Sequence, residues 1–230
     1  MRIFRVVWLP TMALLLGLSF AGCGGGGISS QYGTDSFLPL ATGNNWIYEV
    51  TRYNTTAPGG SILSIDAVTH AIGAPNGGTF PLHISSASGT TTAFTQHLKW
   101  DGSNLLKLSE TYPSAVFSYQ PPIILFKNGV GSGTEWVSSS TAVDSINGTT
   151  STVSTTFETM GYESVTTAAG TFSAYKVKSY ATTGGVYAYQ LAWHAQGVGI
   201  VKMETYANSP LNGDSILAER YTLLGYTLAY

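Results

Sequence analysis

Tyr187-Ala188-Tyr189-Gln190-Leu191-Ala192-Trp193-His194 sets Tyr187, Tyr189, Leu191 and Trp193 in one file and Ala188, Gln190, Ala192 and His194 in the other. A period of two separates side chains onto opposite faces only when the backbone is extended, so the stretch is a strand. Outward from it the same pattern recurs. Trp46, Tyr48 and Val50 alternate with Ile47, Glu49 and Thr51, and Tyr175 and Val177 oppose Lys176 and Lys178, one apolar face against one wet face. Helical periodicity is hard to find beyond Phe37.

Turn signals separate these runs: Pro58-Gly59-Gly60, Pro75-Asn76-Gly77-Gly78, Asp101-Gly102, Asn147-Gly148, Gly184-Gly185 and Asn212-Gly213. Asp101-Gly102 stands between Leu98-Lys99-Trp100 and Leu105-Leu106-Lys107-Leu108, the strongest hairpin signature in the chain, with Gly184-Gly185 next. The expectation is an all-β, mostly antiparallel single domain over residues 37–230 with about a dozen strands, an open or half barrel or a sandwich. An internal echo, Gly43-Asn44-Asn45-Trp46 and Gly133-Thr134-Glu135-Trp136, suggests two strands that open analogous half-sheets. Pro121-Pro122-Ile123-Ile124-Leu125-Phe126-Lys127 is either a cover for the concave face or an ordinary buried strand.

The 230 residues hold 43% hydrophobic and 10% charged side chains, against about 25% charged in an ordinary globular chain. Ten basic and twelve acidic residues leave a net charge of −2 with no basic run, so a phosphate-tracking nucleic-acid surface has nothing to be built from. The single cysteine excludes an internal disulfide and a cysteine-cluster metal site.

That cysteine follows a secretory signature. Arg2 and Arg5 precede an apolar run from Val6 to Phe20, shorter than the roughly 20 residues of a bilayer span. Residues 1–22 therefore read as a cleaved signal helix. The run ends Leu18-Ser19-Phe20-Ala21-Gly22-Cys23, which resembles the lipobox of bacterial lipoproteins, with Phe20 where that family usually has leucine. The resemblance implies diacylglycerol on the Cys23 sulfur and more than one acyl chain on the mature protein, enough for lasting membrane attachment. Gly24 rather than aspartate after the cysteine implies, in a two-membrane cell, sorting to the outer membrane. Residues 24–36, rich in glycine and serine, read as a flexible tether with a reach of roughly 20 Å.

Val165-Thr166-Thr167-Ala168-Ala169-Gly170-Thr171-Phe172, followed by Trp193-His194-Ala195-Gln196-Gly197-Val198-Gly199-Ile200-Val201-Lys202, resembles a pattern of uncharacterised bacterial envelope proteins. Those proteins also tend to begin with a strand like Pro39-Leu40-Ala41-Thr42-Gly43-Asn44-Asn45-Trp46-Ile47-Tyr48. They are similar to periplasmic half-barrel folds that handle lipids or lipoproteins.

Chemistry-bearing motifs are sparse. There is no Gly-x-Ser-x-Gly elbow, and His70, His83, His97 and His194 have no pair at metal-ligand spacing. Gly129-Val130-Gly131-Ser132-Gly133 lacks the lysine of a phosphate loop. Glu158 and Glu163 straddle Gly161, so a turn there would set them face to face, but with twelve acids scattered through the chain such pairs arise by coincidence. The aromatics remain, and they either fill a β core or line an apolar groove. Trp100, Tyr187, Tyr189 and Trp193 are the candidate ligand contacts. The expectation is a non-catalytic, membrane-anchored envelope lipoprotein without cofactor or metal that binds an apolar ligand or an envelope partner in a β cavity. The competing readings are a structural or surface-interaction protein with a packed core and, last, a glycan-acting enzyme.

Overall fold

The computed structural model describes residues 36–56, 60–89, 91–181, 187–208 and 214–229. Twelve strands run in chain order: β1 (Asn45–Tyr53), β2 (Ile62–Ile72), β3 (Phe80–Ser86), β4 (Phe94–Trp100), β5 (Asn104–Tyr112), β6 (Ala115–Lys127), β7 (Glu135–Asp144), β8 (Thr149–Thr167), β9 (Gly170–Ala181), β10 (Tyr187–Ala195), β11 (Gly199–Asn208) and β12 (Ser215–Thr227). Each pairs antiparallel with the strands before and after it, and the first pairs with the last.

That final pairing corrects the expected open or half barrel, and the sandwich with it. β1 and β12 are in register from Asn45↔Thr227 to Arg52↔Glu219, with one bulge at Ile47/Tyr48. The sheet is a closed barrel, which leaves no edge strand. Asp101-Gly102 does turn the β4–β5 hairpin. Gly184-Gly185 and Asn212-Gly213 lie outside the described residues.

Alternation sorts the side chains. Along β7, Trp136, Ser138, Ser140, Ala142 and Asp144 are buried while Glu135, Val137, Ser139, Thr141 and Val143 are exposed. The interior is apolar, with Trp46, Val50, Val68, Leu98, Val201 and Leu223 fully buried, and charged residues such as Glu49 and Lys99 stand outside. A transmembrane barrel has the reverse arrangement. The Gly-x-x-Trp echo marks the two halves: Trp46 and Trp136 are the second residues of β1 and β7, six strands apart, both buried.

β6 contains the Pro121-Pro122 stretch, so it is a strand of the wall. Proline has no N–H to donate to the ladder, and β6 pairs with β7 only over residues 117–120. Beyond them the side chains of β7 take over: Ile124 N donates to Ser138 Oγ at 2.8 Å, Ser140 Oγ to Pro121 O at 2.7 Å, and Trp136 Nε1 to Ile124 O at 3.2 Å.

One end of the barrel is plugged by residues 36–40. Phe37, Leu38 and Leu40 are buried, each contributing about 1.5–3 kcal/mol of transfer free energy. Trp100 Nε1 donates to Leu38 O at 3.0 Å, Asn44 Nδ2 to Pro39 O at 2.8 Å, and Gly197 N to Ser36 O at 2.8 Å. The Phe37 ring lies 4.9 Å from that of Phe126. Every strand thus has a neighbour on both sides, and the plug is drawn from the chain just before β1.

Gly199 is the tightest point of this seat. Its φ is +113°, and a Cβ there would meet Trp46 Nε1 at 3.2 Å and Leu38 Cδ1 at 3.3 Å. Gly199→Ala is expected to destabilise the domain by about 1–3 kcal/mol through backbone strain and displacement of Leu38. Urea denaturation measures this, and an unchanged midpoint would contradict the described seating of the plug.

Candidate functional site

Above the plug the barrel interior is not filled. A cavity of about 300 Å³ remains, walled by Leu82, Leu98, Leu105, Phe157, Val177 and Leu38 of the plug. It survives because several inward positions carry small side chains, Ser179 and Ala192 among them.

The lining is not uniformly apolar. Gln96, Gln190, His70, His194 and Tyr221 also face the cavity. Gln190 Nε2 donates to Thr205 Oγ1 at 3.2 Å. Gln96 Nε2 donates to Glu110 Oε1 at 3.0 Å, and the same carboxylate accepts from Lys107 Nζ at 2.8 Å and from Tyr119 Oη at 2.6 Å. Burial pushes the Glu110 carboxyl up, but Lys107 and the hydrogen bonds outweigh it and hold the group below the usual range. On the opposite wall, burial raises Glu219 despite its 2.9 Å pair with Arg52 and its hydrogen bond to Tyr221.

The two histidines differ from this satisfied network. His70 Nε2 and His194 Nδ1 are buried without a hydrogen-bond partner. His70 packs against Tyr48 at 4.8 Å and His194 against Phe126 at 4.8 Å, ring centroid to centroid. Burial lowers both imidazoles to about 4, with a hydrogen bond to the Phe37 backbone opposing the shift at His194. Both rings are therefore neutral at pH 7. A buried polar nitrogen without a partner costs about 1–3 kcal/mol.

Trp100 lies inside the barrel, but its indole seats the plug. Tyr189 and Trp193 stand on the strand face opposite Gln190, Ala192 and His194, hence on the outer wall. Trp193 is nonetheless only 2% exposed, because Lys176 and Lys202 of the neighbouring strands cover its ring at 4.8 and 4.3 Å and Glu163 accepts its indole N–H. Tyr189 stacks on Tyr206 at 4.5 Å. Tyr187 occupies β10 opposite Ala207, its side chain outside the described residues, as is Cys23. Glu158 and Glu163 share one strand, β8, rather than facing each other across a turn. Among the described residues no group of three or more His, Cys, Asp or Glu is placed to hold a metal ion.

Of the cavity residues, His194 stood out in the sequence, whereas His70, Gln96 and Gln190 did not. Gln190 shares its file with Ala188 and Ala192, which leave space, whereas His70 stands between Val68 and Ile72 and Gln96 between Phe94 and Leu98, files that read as ordinary core.

A family model described as DUF3108-like matches residues 135–217, less than half of the chain, from β7 into β12. No curated protein matches the sequence. A Bacteroides fragilis protein with a YmcC-like fold, thought to be exported, superposes with a TM-score of 0.50 at 15% identity, over 84% of this chain and 99% of that one. A Parabacteroides distasonis protein thought to be a lipoprotein gives 0.43 at 16% identity over 83% and 98%. The hypothetical lipoprotein YmcC of Escherichia coli gives 0.39 at 10% identity over 87% and 92%. The likeness to the Bacteroides fragilis protein is one of fold.

The histidines make stability depend on pH. Unfolded, each titrates near 6.5; folded, near 4, so between these values the unfolded chain binds more protons. Stability is expected to be fully present above about pH 6.5 and to fall as pH drops toward 4, by up to about 3 kcal/mol for His194. Urea unfolding at a series of pH values measures the slope. His194→Phe should remove its share, and an unaltered slope would contradict a buried neutral imidazole.

Proposed function

We propose that the protein is a lipid-anchored envelope lipoprotein whose barrel holds an apolar ligand without catalysing a reaction on it. The observation that carries this reading is the cavity itself. A closed barrel with about 300 Å³ of apolar-walled space has forgone packing that larger side chains at Ser179 or Ala192 would supply. A purely structural barrel has no use for that space, which favours ligand binding over a packed interaction domain.

The anchor rests on the sequence: Arg2, Arg5, the short apolar run and the lipobox-like residues ending at Cys23. Gly24 favours the outer membrane. Because the tether leads into the plug at Ser36, the plugged end of the barrel is the end nearest the membrane, and the β1–β2, β5–β6 and β7–β8 turns lie at the far end. An apolar ligand then exchanges away from the bilayer surface.

Two measurements test the proposal. Native mass spectrometry of a soluble form beginning at Gly24, purified from a bacterial periplasm without detergent, should show a reproducible mass excess that extracts into organic solvent. A clean apo mass, repeated after incubation with membrane lipids, would overturn the ligand. Cys23→Ser in the full chain should abolish uptake of labelled fatty acid. Equal absence of label in the unsubstituted protein would overturn the anchor.

A further inference from the structure

We propose that the cavity takes a single-chain amphiphile with an uncharged, hydroxyl-bearing head group, such as a monoacylglycerol, lying with its chain end against the plug and its head in the membrane-distal half of the barrel. The inference rests on the reading of the cavity as an apolar-ligand site and adds the ligand's polarity and its direction.

The inward files change character along the barrel axis. Read from the far end toward the plug, β1 presents Arg52 and then Val50, Tyr48 and Trp46, while β12 presents Glu219 and then Tyr221 and Leu223. β4 presents Gln96 and then Leu98 and Trp100, and β5 sets Glu110 opposite Gln96. On β10, Gln190 is followed by Ala192. Asp66 of β2, opposite Val50, is buried and accepts from Ser86 of β3. A polar belt thus lines the far half of the interior, over an apolar floor. The cavity passes through both, from Leu38 of the plug to Phe94 at the far-end start of β4.

The two glutamines of the belt stand at one height. Trp100 donates to Leu38 O of the plug, and His194 packs on Phe126, which packs on Phe37 of the plug. Gln96 and Gln190 lie four residues farther out on the same two strands, about 13 Å of extended chain. β4 and β10 are six strands apart in the ring, hence opposite each other, and both glutamines line the cavity between them. Both side chains are only half-buried. Their bonds to Glu110 and Thr205 use one donor each, whereas an amide has two donors and a carbonyl. Hydroxyls, which donate and accept, match that lining.

The charges of the belt are set against one another rather than toward a ligand. Lys107 pairs with Glu110 at 2.8 Å and Arg52 with Glu219 at 2.9 Å, and Asp66 adds a further carboxylate. An anionic head would leave water to stand beside more acids than bases, and a cationic one would meet carboxylates already holding cations or hydroxyls. The reverse orientation would press the head against Trp46, Tyr48 and Leu98 and leave the chain in the belt.

The test reads tryptophan fluorescence of the soluble form beginning at Gly24, which retains every described residue. Of its tryptophans, Trp46, Trp100 and Trp136 lie inside at the plugged end, with Trp46 on the cavity floor, and Trp193 lies on the outer wall. Bromine quenches an indole on contact, so the probes are decanoylglycerols brominated at the chain end or beside the ester. Chain-end bromine is expected to quench severalfold more. By calorimetry, decanoylglycerol is expected to bind about tenfold more tightly than ionised decanoate. Equal quenching by the two probes, or stronger quenching from beside the ester, overturns the direction. Decanoate binding as tightly as decanoylglycerol overturns the uncharged head. Either result leaves the apolar site standing, and neither needs a variant to fold. Ala192→Leu, which fills the cavity between Gln190 and His194, should remove the quenching, and a folded variant quenched as before overturns the barrel as the place of binding. If neither decanoylglycerol nor decanoate binds the unsubstituted protein, the apolar-ligand reading itself fails.

Discussion

Closure at twelve strands is the constraint from which the other features follow. The diameter of a barrel grows with its strand number, and about eight strands make an interior that facing side chains can just fill. With β1 paired to β12, this barrel encloses a space wider than its own inward files span. Three things occupy it. The plug of residues 36–40 stops one end, a small cluster of Tyr119, Ile123 and Ala142 pads the β6–β7 wall, and the remainder is the cavity. The plug is as much a consequence of closure as the cavity is. Without Phe37 and Leu38, Trp100 and Phe126 would face an open end, and the Trp100 indole N–H would lose the carbonyl it donates to.

Strand content and hairpin order were legible because both are local. The alternation of β1 and β7 and the Asp101-Gly102 turn depend on neighbouring residues only, and the paired Gly-x-x-Trp segments do mark the starts of two six-strand halves. Closure was not legible because it joins residues 45–52 to residues 219–227, and the same alternation suits an open sheet and a closed one. What decides between them is the twist and stagger accumulated over all twelve strands and adjusted at bulges such as Ile47/Tyr48 and Trp193/His194, which leave little trace in composition.

The side of the wall on which β10 presents its aromatics was misleading for a physical reason. Period two separates Tyr189 and Trp193 from Gln190 and His194 but does not say which file is inside. Size suggests that the aromatics fill the core. Register says otherwise, because Trp193 stands opposite Lys176 on one side and Lys202 on the other. Cross-strand partners share a face, so an indole between two lysines shares their outer face. Lysine stems and ammonium groups then cover the ring so fully that a surface tryptophan is as buried as a core residue. The inward file is left with glutamine, alanine and histidine, and that scarcity of bulk opens the cavity.

The interior polar groups separate structure from site. Glu110 is deeply set yet holds Lys107, Gln96 and Tyr119, so its charge is compensated and its wall is stiffened. His70 and His194 carry no such compensation: burial keeps them neutral, and each retains a nitrogen without a partner. Replacing either with an apolar residue of similar shape would remove an unsatisfied atom, and filling the cavity would add packing, so neither feature is what stability alone favours. Local departures from good packing and good pairing are expected where a protein binds something. Here both departures lie in the barrel interior, and the same short plug segment closes one end of that interior and hydrogen-bonds one of the imidazoles, which ties the barrel's closure to the arrangement of its interior polar groups.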